Sequence, residues 1–255
     1  MKNVALKAAK EAGDYLLSNF RKDPELMLKR GSAKDVVTKY DKESDQMIRT
    51  EIEKIFPDHN LVTEEGGEFD RNSEYTWLVD SLDGTGNFAI GNPFFAVSIG
   101  VMKGKELVLG VIYAPYLNEL YVAEKGKGAY LNGQKLSVSE VANLSDSYVT
   151  SCEGGDRERM QLNPINSRLY PKVQDLRKLG SAALECAWVA SGRAEAYFTT
   201  QICNYDVAAG VLLVEEAGGK VSDFEGRWWQ PIQDGFLFSN GKVHEELLQV
   251  IKGAL

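Results

Sequence analysis

Short apolar runs between residues 60 and 124 constrain the fold of this chain more than any other feature of its sequence. The runs are rich in Val, Ile and aromatic residues and are separated by Gly, Asn and Pro, which is typical of strands in a sheet. They are LVTEE, TWLVD, FFAVSIGVM, LVLGVIYAP and ELYVAE. The pair Asn132-Gly133, between apolar flanks, predicts a further hairpin turn.

Helical patterns lie on both sides of this strand region. Apolar residues recur at helical spacing from Val4 to Leu16 and from Ile48 to Phe56, and Asp41 can cap the second helix. Later patterns predict a helix from Ser181 to about Ala190, a strand near AEAYF, and a helix from Asp206 to Ala217 closed by two glycines. Because helices and strands alternate in blocks, they favour a layered α/β or α+β sandwich over a simple doubly wound sheet.

The segment from Cys152 to Pro171 is polar and irregular, so it is the predicted boundary between two halves. We expect residues 1–150 to form an N-terminal α+β half and residues 151–255 to form a C-terminal α/β half. The whole length of 255 residues suits one compact unit with a substantial core.

Charge and composition exclude several classes of protein. The chain has 29 Lys+Arg against 37 Asp+Glu, a net charge of -8, which argues against binding to nucleic-acid phosphates. Three cysteines without CxxC spacing predict neither a disulfide framework nor a zinc knuckle, and they favour the reducing cytoplasm. The N-terminus mixes apolar residues with Lys and Glu, so neither a signal peptide nor a membrane span is predicted. Only two histidines are available for a His-rich metal site or a Ser-His-Asp triad.

The segment WLVDSLDGTGNF, from Trp77 to Phe88, carries the strongest chemical signal. An apolar strand is predicted to end at Asp80, and Asp83 follows in a glycine-containing turn, where α/β sheets place ligands. Two carboxylates this close repel each other unless a cation lies between them, and Mg²⁺ prefers such oxygen ligands. The amides of Gly84 and Thr85 could cradle phosphate oxygens. The alternative is an ordinary polar turn.

Three further acidic positions have simple explanations when each is taken alone. Glu64-Glu65 closes an apolar run and suits a solvated turn. Asp206 and Asp41 each stand at the start of a predicted helix, where capping explains a carboxylate.

Taken together, these segments resemble the inositol monophosphatase family of magnesium-dependent, lithium-sensitive sugar phosphatases. The family signature D-P-[LI]-D-G-T-x-N-F is similar to Asp80–Phe88, and W-D-x-A-A-G with E-A-G-G is similar to Tyr205–Gly219. The D-x-V-T-x-x-D element resembles Asp35–Asp41, the E-E pair is Glu64-Glu65, and G-S-A-A is Gly180–Ala183. The late S-N-G is at Ser239–Gly241. The resemblance implies a sugar phosphatase fold with alternating αβαβα layers.

The resemblance also implies a metal centre with two or three Mg²⁺ ions. Glu64, Asp80 and the Leu82 carbonyl would hold one ion. Asp80, Asp83 and Asp206 would hold the second, and a third, weaker ion would bind near Glu64. A metal-activated water would attack phosphorus without a covalent intermediate, with Glu64, Thr85 and Asp41 as catalytic residues and Thr85 hydrogen-bonded to Asp41.

The substrate-binding residues implied by the resemblance lie partly in the second half. Phosphate would meet Asp83, Gly84 and Thr85, and the sugar would meet Gly180, Ser181, Ala182, Thr199 and Asp206. Many inositol phosphatases have Glu where this chain has Thr199, so the hydroxyl-binding surface with Thr200, Gln201 and Asn204 is neutral here. Lys34 and Arg193 are candidate phosphate contacts or plain surface cations. Cys203 is expected to be a buried small residue. The pair Trp228-Trp229 could stack on a sugar or nucleobase, but packing in a subunit contact or over an edge is favoured.

The leading hypothesis is a magnesium-dependent phosphomonoesterase acting on inositol 1-phosphate or a similar small polyol phosphate. Alternatives with the same chemistry are fructose 1,6-bisphosphatase, histidinol phosphatase, and a phosphatase of phosphoadenosine phosphate or NADP. An alternative of another class is a non-catalytic regulatory binding protein. We expect a cytoplasmic homodimer that binds a small phosphate substrate and neither nucleic acid nor membrane.

Overall fold

The computed structural model describes residues 1–28, 36–152, 156–200, 202–229 and 235–255, and these contain seven α-helices and three sheets, one of them with only two strands. The helices are α1 (Lys2–Asn19), α2 (Lys39–Ile55), α3 (Thr85–Ala89), α4 (Asp156–Leu169), α5 (Ala182–Ala190), α6 (Asn204–Glu216) and α7 (His244–Lys252). A short 3-10 helix covers Leu144–Asp146.

Fifteen strands are present in these described ranges. The first ten are β1 (Met27–Leu28), β2 (Val36–Val37), β3 (Asn60–Thr63), β4 (Gly67–Phe69), β5 (Tyr75–Asp83), β6 (Ala96–Lys103), β7 (Glu106–Ala114), β8 (Glu119–Glu124), β9 (Gly128–Leu131) and β10 (Gln134–Lys135). The last five are β11 (Tyr148–Cys152), β12 (Asp175–Arg177), β13 (Ala196–Thr200), β14 (Lys220–Ser222) and β15 (Gly235–Ser239).

The strands form a large sheet and a smaller one, beside the short β1–β2 pair. The large sheet has the order β10-β9-β8-β7-β6-β5-β3-β4, and only its β3–β5 pair is parallel among the described pairings. The smaller sheet has the order β12-β11-β13-β15-β14. The predicted hairpin at Asn132-Gly133 is confirmed: it joins β9 to β10, and φ is 49° and 82° at the two residues, as a tight turn of this kind needs.

The layers follow the order expected from the family resemblance. Helices α1 and α2 cover one face of the large sheet, and α5 and α6 fill the space between the two sheets. Helices α4 and α7 cover the outer face of the smaller sheet. The predicted layered αβαβα sandwich is therefore confirmed, with an apolar core on each side of both sheets.

The polar segment after Cys152 differs from its predicted irregular form, because α4 occupies most of it. Leu162, Ile165 and Leu169 are fully buried and pack against the smaller sheet and α7. Their helical spacing was hidden by polar neighbours and by Pro164 inside the helix. The predicted boundary after residue 150 falls inside β11, and the division into two halves stays a prediction.

Close packing of α6 on the large sheet fixes where the first turn of this helix lies. Gly100 and Gly110 face each other across β6 and β7. A Cβ added at Gly110 would lie 2.7 Å from the Ala209 carbonyl oxygen, and one at Gly100 would lie 2.8 Å from the Cβ of Ala208. The helix therefore rests directly on the strand backbones, a contact that only glycine at these positions allows.

We expect Gly110→Ala to lower the free energy of unfolding by about 1–3 kcal/mol, because the added methyl group would push α6 away from the sheet. Urea unfolding monitored by tryptophan fluorescence would measure the loss. Gly86→Ala is the matched control, since a Cβ there would meet no atom within 4 Å. Equal stability changes in the two variants would contradict this account of α6.

Candidate functional site

Three carboxylates meet where the large sheet contacts α6. Glu64, Asp80 and Asp206 each offer an oxygen, and these oxygens all lie within 4.8 Å of one another. Asp80 is 2% exposed, and the other two residues are partly buried. The structure thus brings together three of the four carboxylates that the family resemblance implies as metal ligands.

The local strand geometry explains this convergence. Strands β3 and β5 are parallel, with Thr63 opposite Val79, so Glu64 and Asp80 follow at neighbouring positions. The Glu64 amide continues the ladder by donating to the Val79 carbonyl oxygen at 3.1 Å. Strand β5 does not end at Asp80 as predicted. It continues to Asp83 with a shift in register between the two aspartates, and such an irregularity redirects side chains at a sheet edge.

Electrostatics at this cluster favour a bound cation. Burial raises the pKa of Asp80 well above its usual range, and the charges of Glu64 and Asp83 raise it further. Burial and the same two neighbouring charges also raise the pKa of Asp206. Like charges gathered in a buried place destabilise one another unless a counter-charge is present. An all-oxygen carboxylate set of this kind fits a hard divalent cation such as Mg²⁺.

The carboxylate of Asp83, the last residue of β5, lies beside the first turn of α5 and forms hydrogen bonds with it. Its carboxylate accepts hydrogen bonds from the Ser181 hydroxyl, from the Ala182 amide at 3.1 Å and from the Ala183 amide at 2.9 Å. Burial raises the pKa of Asp83 to about 6, although these three donors oppose the rise. The predicted sugar-contacting segment therefore orients this carboxylate, and the metal-ligand role of Asp83 stays a prediction.

Asp41 and Thr85 form the hydrogen-bonded pair that the resemblance implies. The Thr85 hydroxyl lies 2.7 Å from the Asp41 Oδ1 atom and 3.0 Å from the Leu82 carbonyl oxygen. Burial raises the pKa of Asp41 to about 6. The helix cap differs from the prediction: Thr38 caps α2, and Asp41 is the third helical residue, whose other oxygen accepts from Thr38.

Two serine side chains join α2 to β5, the strand that carries Asp80 and Asp83, by hydrogen bonds. The Ser81 hydroxyl donates to the Asp41 carbonyl oxygen, and the Ser44 hydroxyl donates to the Ser81 carbonyl oxygen, each at 2.9 Å. Both serines are buried. The Ser81 that replaces the family's proline thus gains a bond that proline could not make, a contact that sequence reasoning missed.

The predicted phosphate loop and the predicted sugar segment lie against each other. Gly84 has φ of 89°, and a Cβ there would lie 3.0 Å from the Phe94 carbonyl oxygen and 3.2 Å from that of Gly180. The Asn87 side-chain amide donates to the carbonyl oxygens of Phe94 and Leu179, both at 2.7 Å. A residue with a side chain at position 84 would therefore be strained and would force the two segments apart.

Several other predicted residues have different surroundings from those expected. Thr199 is 1% exposed, and its hydroxyl donates to the Cys152 carbonyl oxygen at 2.8 Å, so its substrate contact stays a prediction. Cys203 is exposed at the cap of α6, which contradicts the expected burial. Arg193 forms a two-pronged ion pair with Glu119 at 2.7 and 3.0 Å, which gives it a structural role. Lys34, Asp35 and Gln201 lie outside the described residues.

The two adjacent tryptophans differ in burial. Trp229 is fully buried beside the central core, whereas Trp228 is 46% exposed and donates to Glu215 through its indole N–H. Trp229 therefore packs in the core of its own chain, whereas a subunit contact or an edge was expected, and a subunit contact for Trp228 stays a prediction.

Comparison with known proteins identifies the family. The family model of the inositol monophosphatase family matches residues 1–254, and this chain belongs to that family. Fructose-1,6-bisphosphatase/inositol-1-monophosphatase of Thermotoga maritima is 37% identical over 250 residues, covering 98% of this chain and 94% of the relative. Nus factor SuhB of Pasteurella multocida is 38% identical over 260 residues, covering 100% and 97%. The solved structure of Thermotoga maritima IMPase has a TM-score of 0.92 at 36% identity, covering 100% and 98%.

These findings support a metal-dependent phosphatase, since the family is one of phosphatases and the structure contains the acidic cluster. The expectation of no nucleic-acid partner is not supported, because one relative is named a Nus factor. No described helix has the length and apolar character needed to cross a membrane. The cytoplasmic location and the homodimer stay predictions.

We expect Asp80→Asn to abolish stabilisation by Mg²⁺, because it removes the most buried carboxylate of the cluster. At a Mg²⁺ concentration about 100 times Kd, binding stabilises a native protein by about 2.7 kcal/mol. Without Mg²⁺ the variant should be at least as stable as the wild type, since Asn never carries the negative charge that burial and the neighbouring carboxylates disfavour at this position. Urea unfolding with and without Mg²⁺ measures both effects.

Glu68→Gln, at an exposed acid on β4, is the control for loss of one negative charge. It should keep the full response to Mg²⁺. An equal response in Asp80→Asn would show that the cation binds elsewhere.

Proposed function

We propose that this chain is a magnesium-dependent phosphomonoesterase that hydrolyses inositol 1-phosphate or a similar small polyol or sugar phosphate to the free polyol and phosphate. The observation that carries the proposal is the cluster of Glu64, Asp80 and Asp206 together with the Asp41–Thr85 pair. Family membership supports the same chemistry.

In this proposal Glu64, Asp80 and Asp206 hold Mg²⁺, and the Leu82 carbonyl and Asp83 complete the ligand sets for two or three ions. The donor set fits, since it consists of carboxylate oxygens within 4.8 Å of one another, and burial and neighbouring negative charges raise the pKa of Asp80. When bound, Mg²⁺ would supply an acidified water and would neutralise charge on the departing sugar oxygen.

The Asp41–Thr85 pair would orient the attacking water. Because the Thr85 hydroxyl donates its proton to Asp41, the lone pairs of its oxygen are available to accept a hydrogen bond from water. Asp41 would then take up the hydroxyl proton of Thr85 while Thr85 accepts a proton from the water, and the Asp41 pKa of about 6 suits a group that assists proton transfer near neutral pH. Glu64 would act as a second base beside the water.

The substrate would lie beside the two segments that the Asn87 side chain joins by hydrogen bonds. Its phosphate would meet Asp83 and the amides of Gly84 and Thr85, in the turn that the left-handed conformation of Gly84 allows. Its hydroxyl groups would meet the backbone of Gly180–Ala182, with Asp206 and Thr199 nearby.

The identity of the polyol depends on residues that differ from those of many inositol phosphatases. Thr199 replaces the glutamate common in inositol phosphatases, and the Thermotoga maritima relative is named for both fructose 1,6-bisphosphate and inositol monophosphate chemistry. Fructose 1,6-bisphosphate is therefore the first alternative substrate, followed by histidinol phosphate and phosphoadenosine phosphate or NADP.

A second candidate function is regulatory. Relatives named Nus factor SuhB are 36% identical in Escherichia coli and 38% identical in Pasteurella multocida, each matching the entire chain. A non-catalytic binding role would use the same fold without needing the acidic cluster.

We expect phosphate release from inositol 1-phosphate to require Mg²⁺ and to stop when a chelator removes it. A panel with fructose 1,6-bisphosphate, histidinol phosphate and phosphoadenosine phosphate would rank the substrates. If no panel member releases phosphate and calorimetry detects no Mg²⁺ binding, the phosphatase proposal is wrong and the regulatory role is favoured.

We expect Thr85→Val to lower kcat by about 10²-fold or more with a small change in KM, because it keeps the shape and removes the hydroxyl that orients the water. Thr85→Ser keeps that hydroxyl and is the matched control, expected within a few-fold of the wild type. Steady-state phosphate release measures both. If the two variants are equally active, the Asp41–Thr85 pair has no catalytic role.

A further inference from the structure

Glu185 is a fully buried acid in the first turns of α5 that the mechanism above does not use. Its exposed fraction is 0%, and burial raises its pKa to about 7. One oxygen, Oε1, accepts hydrogen bonds from the Gly180 amide at 2.9 Å and from the Leu179 amide at 3.1 Å. The side chain thus reaches back across the start of its own helix and holds the turn that precedes it.

That turn contacts the candidate site in two ways. The Gly180 carbonyl lies against Gly84 of the predicted phosphate loop, and the Leu179 carbonyl accepts from the Asn87 side chain. The residues that follow, Ser181–Ala183, donate the three hydrogen bonds that hold the Asp83 carboxylate. A change in the Leu179–Gly180 turn would therefore move Asp83 and the backbone predicted to meet the sugar.

Helix capping does not account for Glu185. In a capping box the third helical residue reaches back to the cap residue, whereas Glu185 is the fourth helical residue and binds two amides before the cap. The helix already has a cap in Ser181, whose hydroxyl accepts from the Leu184 amide at 3.4 Å.

The stability of the fold does not explain the presence of Glu185 either. Besides the two amides, the Thr150 hydroxyl on β11 interacts with the Glu185 carboxyl, which is buried away from water. Burying a carboxyl group costs free energy even when hydrogen bonds satisfy part of it, so stability alone does not call for an acid at this position. The hydrogen bonds to the Leu179 and Gly180 amides link Glu185 to the geometry of the turn.

We propose that Glu185 is a positioning residue for the phosphatase reaction, which fixes the segment from Leu179 to Ala183 so that Asp83 is held beside the metal cluster and the Gly180–Ala182 backbone faces the substrate. The inference rests on the proposed function. Glu185 acts through the backbone of this segment and touches neither the substrate nor the reacting atoms.

The test compares three substitutions at this position. Glu185→Leu removes both oxygens, and Glu185→Asp keeps the acid but shortens the reach to the amides. Both should lower kcat/KM for the best panel substrate by about 10²-fold, in line with the cost of misplacing a reacting group. Glu185→Gln keeps an oxygen that can accept from Leu179 and Gly180, so it should stay within about 5-fold of the wild type.

Val189→Ala is the control for lost packing in the same helix, because Val189 is also fully buried but lies away from the turn. It should lower stability and leave kcat/KM near the wild-type value. Hydrogen exchange gives a readout independent of activity: the Leu179 and Gly180 amides should exchange faster in Glu185→Leu and Glu185→Asp, and not in Glu185→Gln or Val189→Ala.

Wild-type activity in Glu185→Asp or Glu185→Leu would overturn the inference. Unchanged hydrogen exchange at both the Leu179 and Gly180 amides in those variants would overturn it as well. A loss of activity in Glu185→Gln as large as in Glu185→Leu would also contradict it, since the hydrogen-bond acceptor is retained. An inactive wild type would instead refute the proposed function, and the exchange rates would still decide whether Glu185 holds the turn.

Discussion

The packing of α6 onto bare strand backbone is the constraint on which the site depends. Because Gly100 and Gly110 present no side chains, the helix descends onto the sheet and brings Asp206 to the carboxyl ends of β3 and β5. Three negative charges are thereby gathered in a partly buried place, at a cost in free energy. The apolar side chains of α6 offset that cost, since each one fully buried contributes about 1.5–3 kcal/mol.

A second set of contacts joins the two sheets at the same place. The Asn87 side chain joins the loop after β5 to the Leu179–Gly180 turn by a hydrogen bond, and backbone amides at the start of α5 donate to the Asp83 carboxylate. Residues far apart in the chain therefore share one rigid frame around the acidic cluster. A phosphatase that acts by orienting water and charge needs such a frame, because its side chains form no covalent bond with the substrate.

Sequence patterns predicted a layered sandwich, the Asn132-Gly133 hairpin and the turn with Asp80 and Asp83, because these depend on local periodicity and on short motifs. The αβαβα order and the full ligand set followed from the family resemblance. The patterns failed where polar residues masked a helix, as in α4, and where neighbouring residues shared a role, as when Thr38 rather than Asp41 caps α2. The Glu185 contact was also missed, since a glutamate in a helix carries no local sign that it is buried and directed backwards.

The sequence by itself determined the chemistry available: carboxylates at strand ends and helix starts, with glycine beside them. Only the tertiary structure decided which carboxylates meet. It placed Glu64, Asp80 and Asp206 within reach of one ion and directed Asp83 toward the start of α5. The physical reason is that side-chain distances between separate elements depend on strand register and on how closely a helix packs on a sheet, and neither is encoded in any single segment.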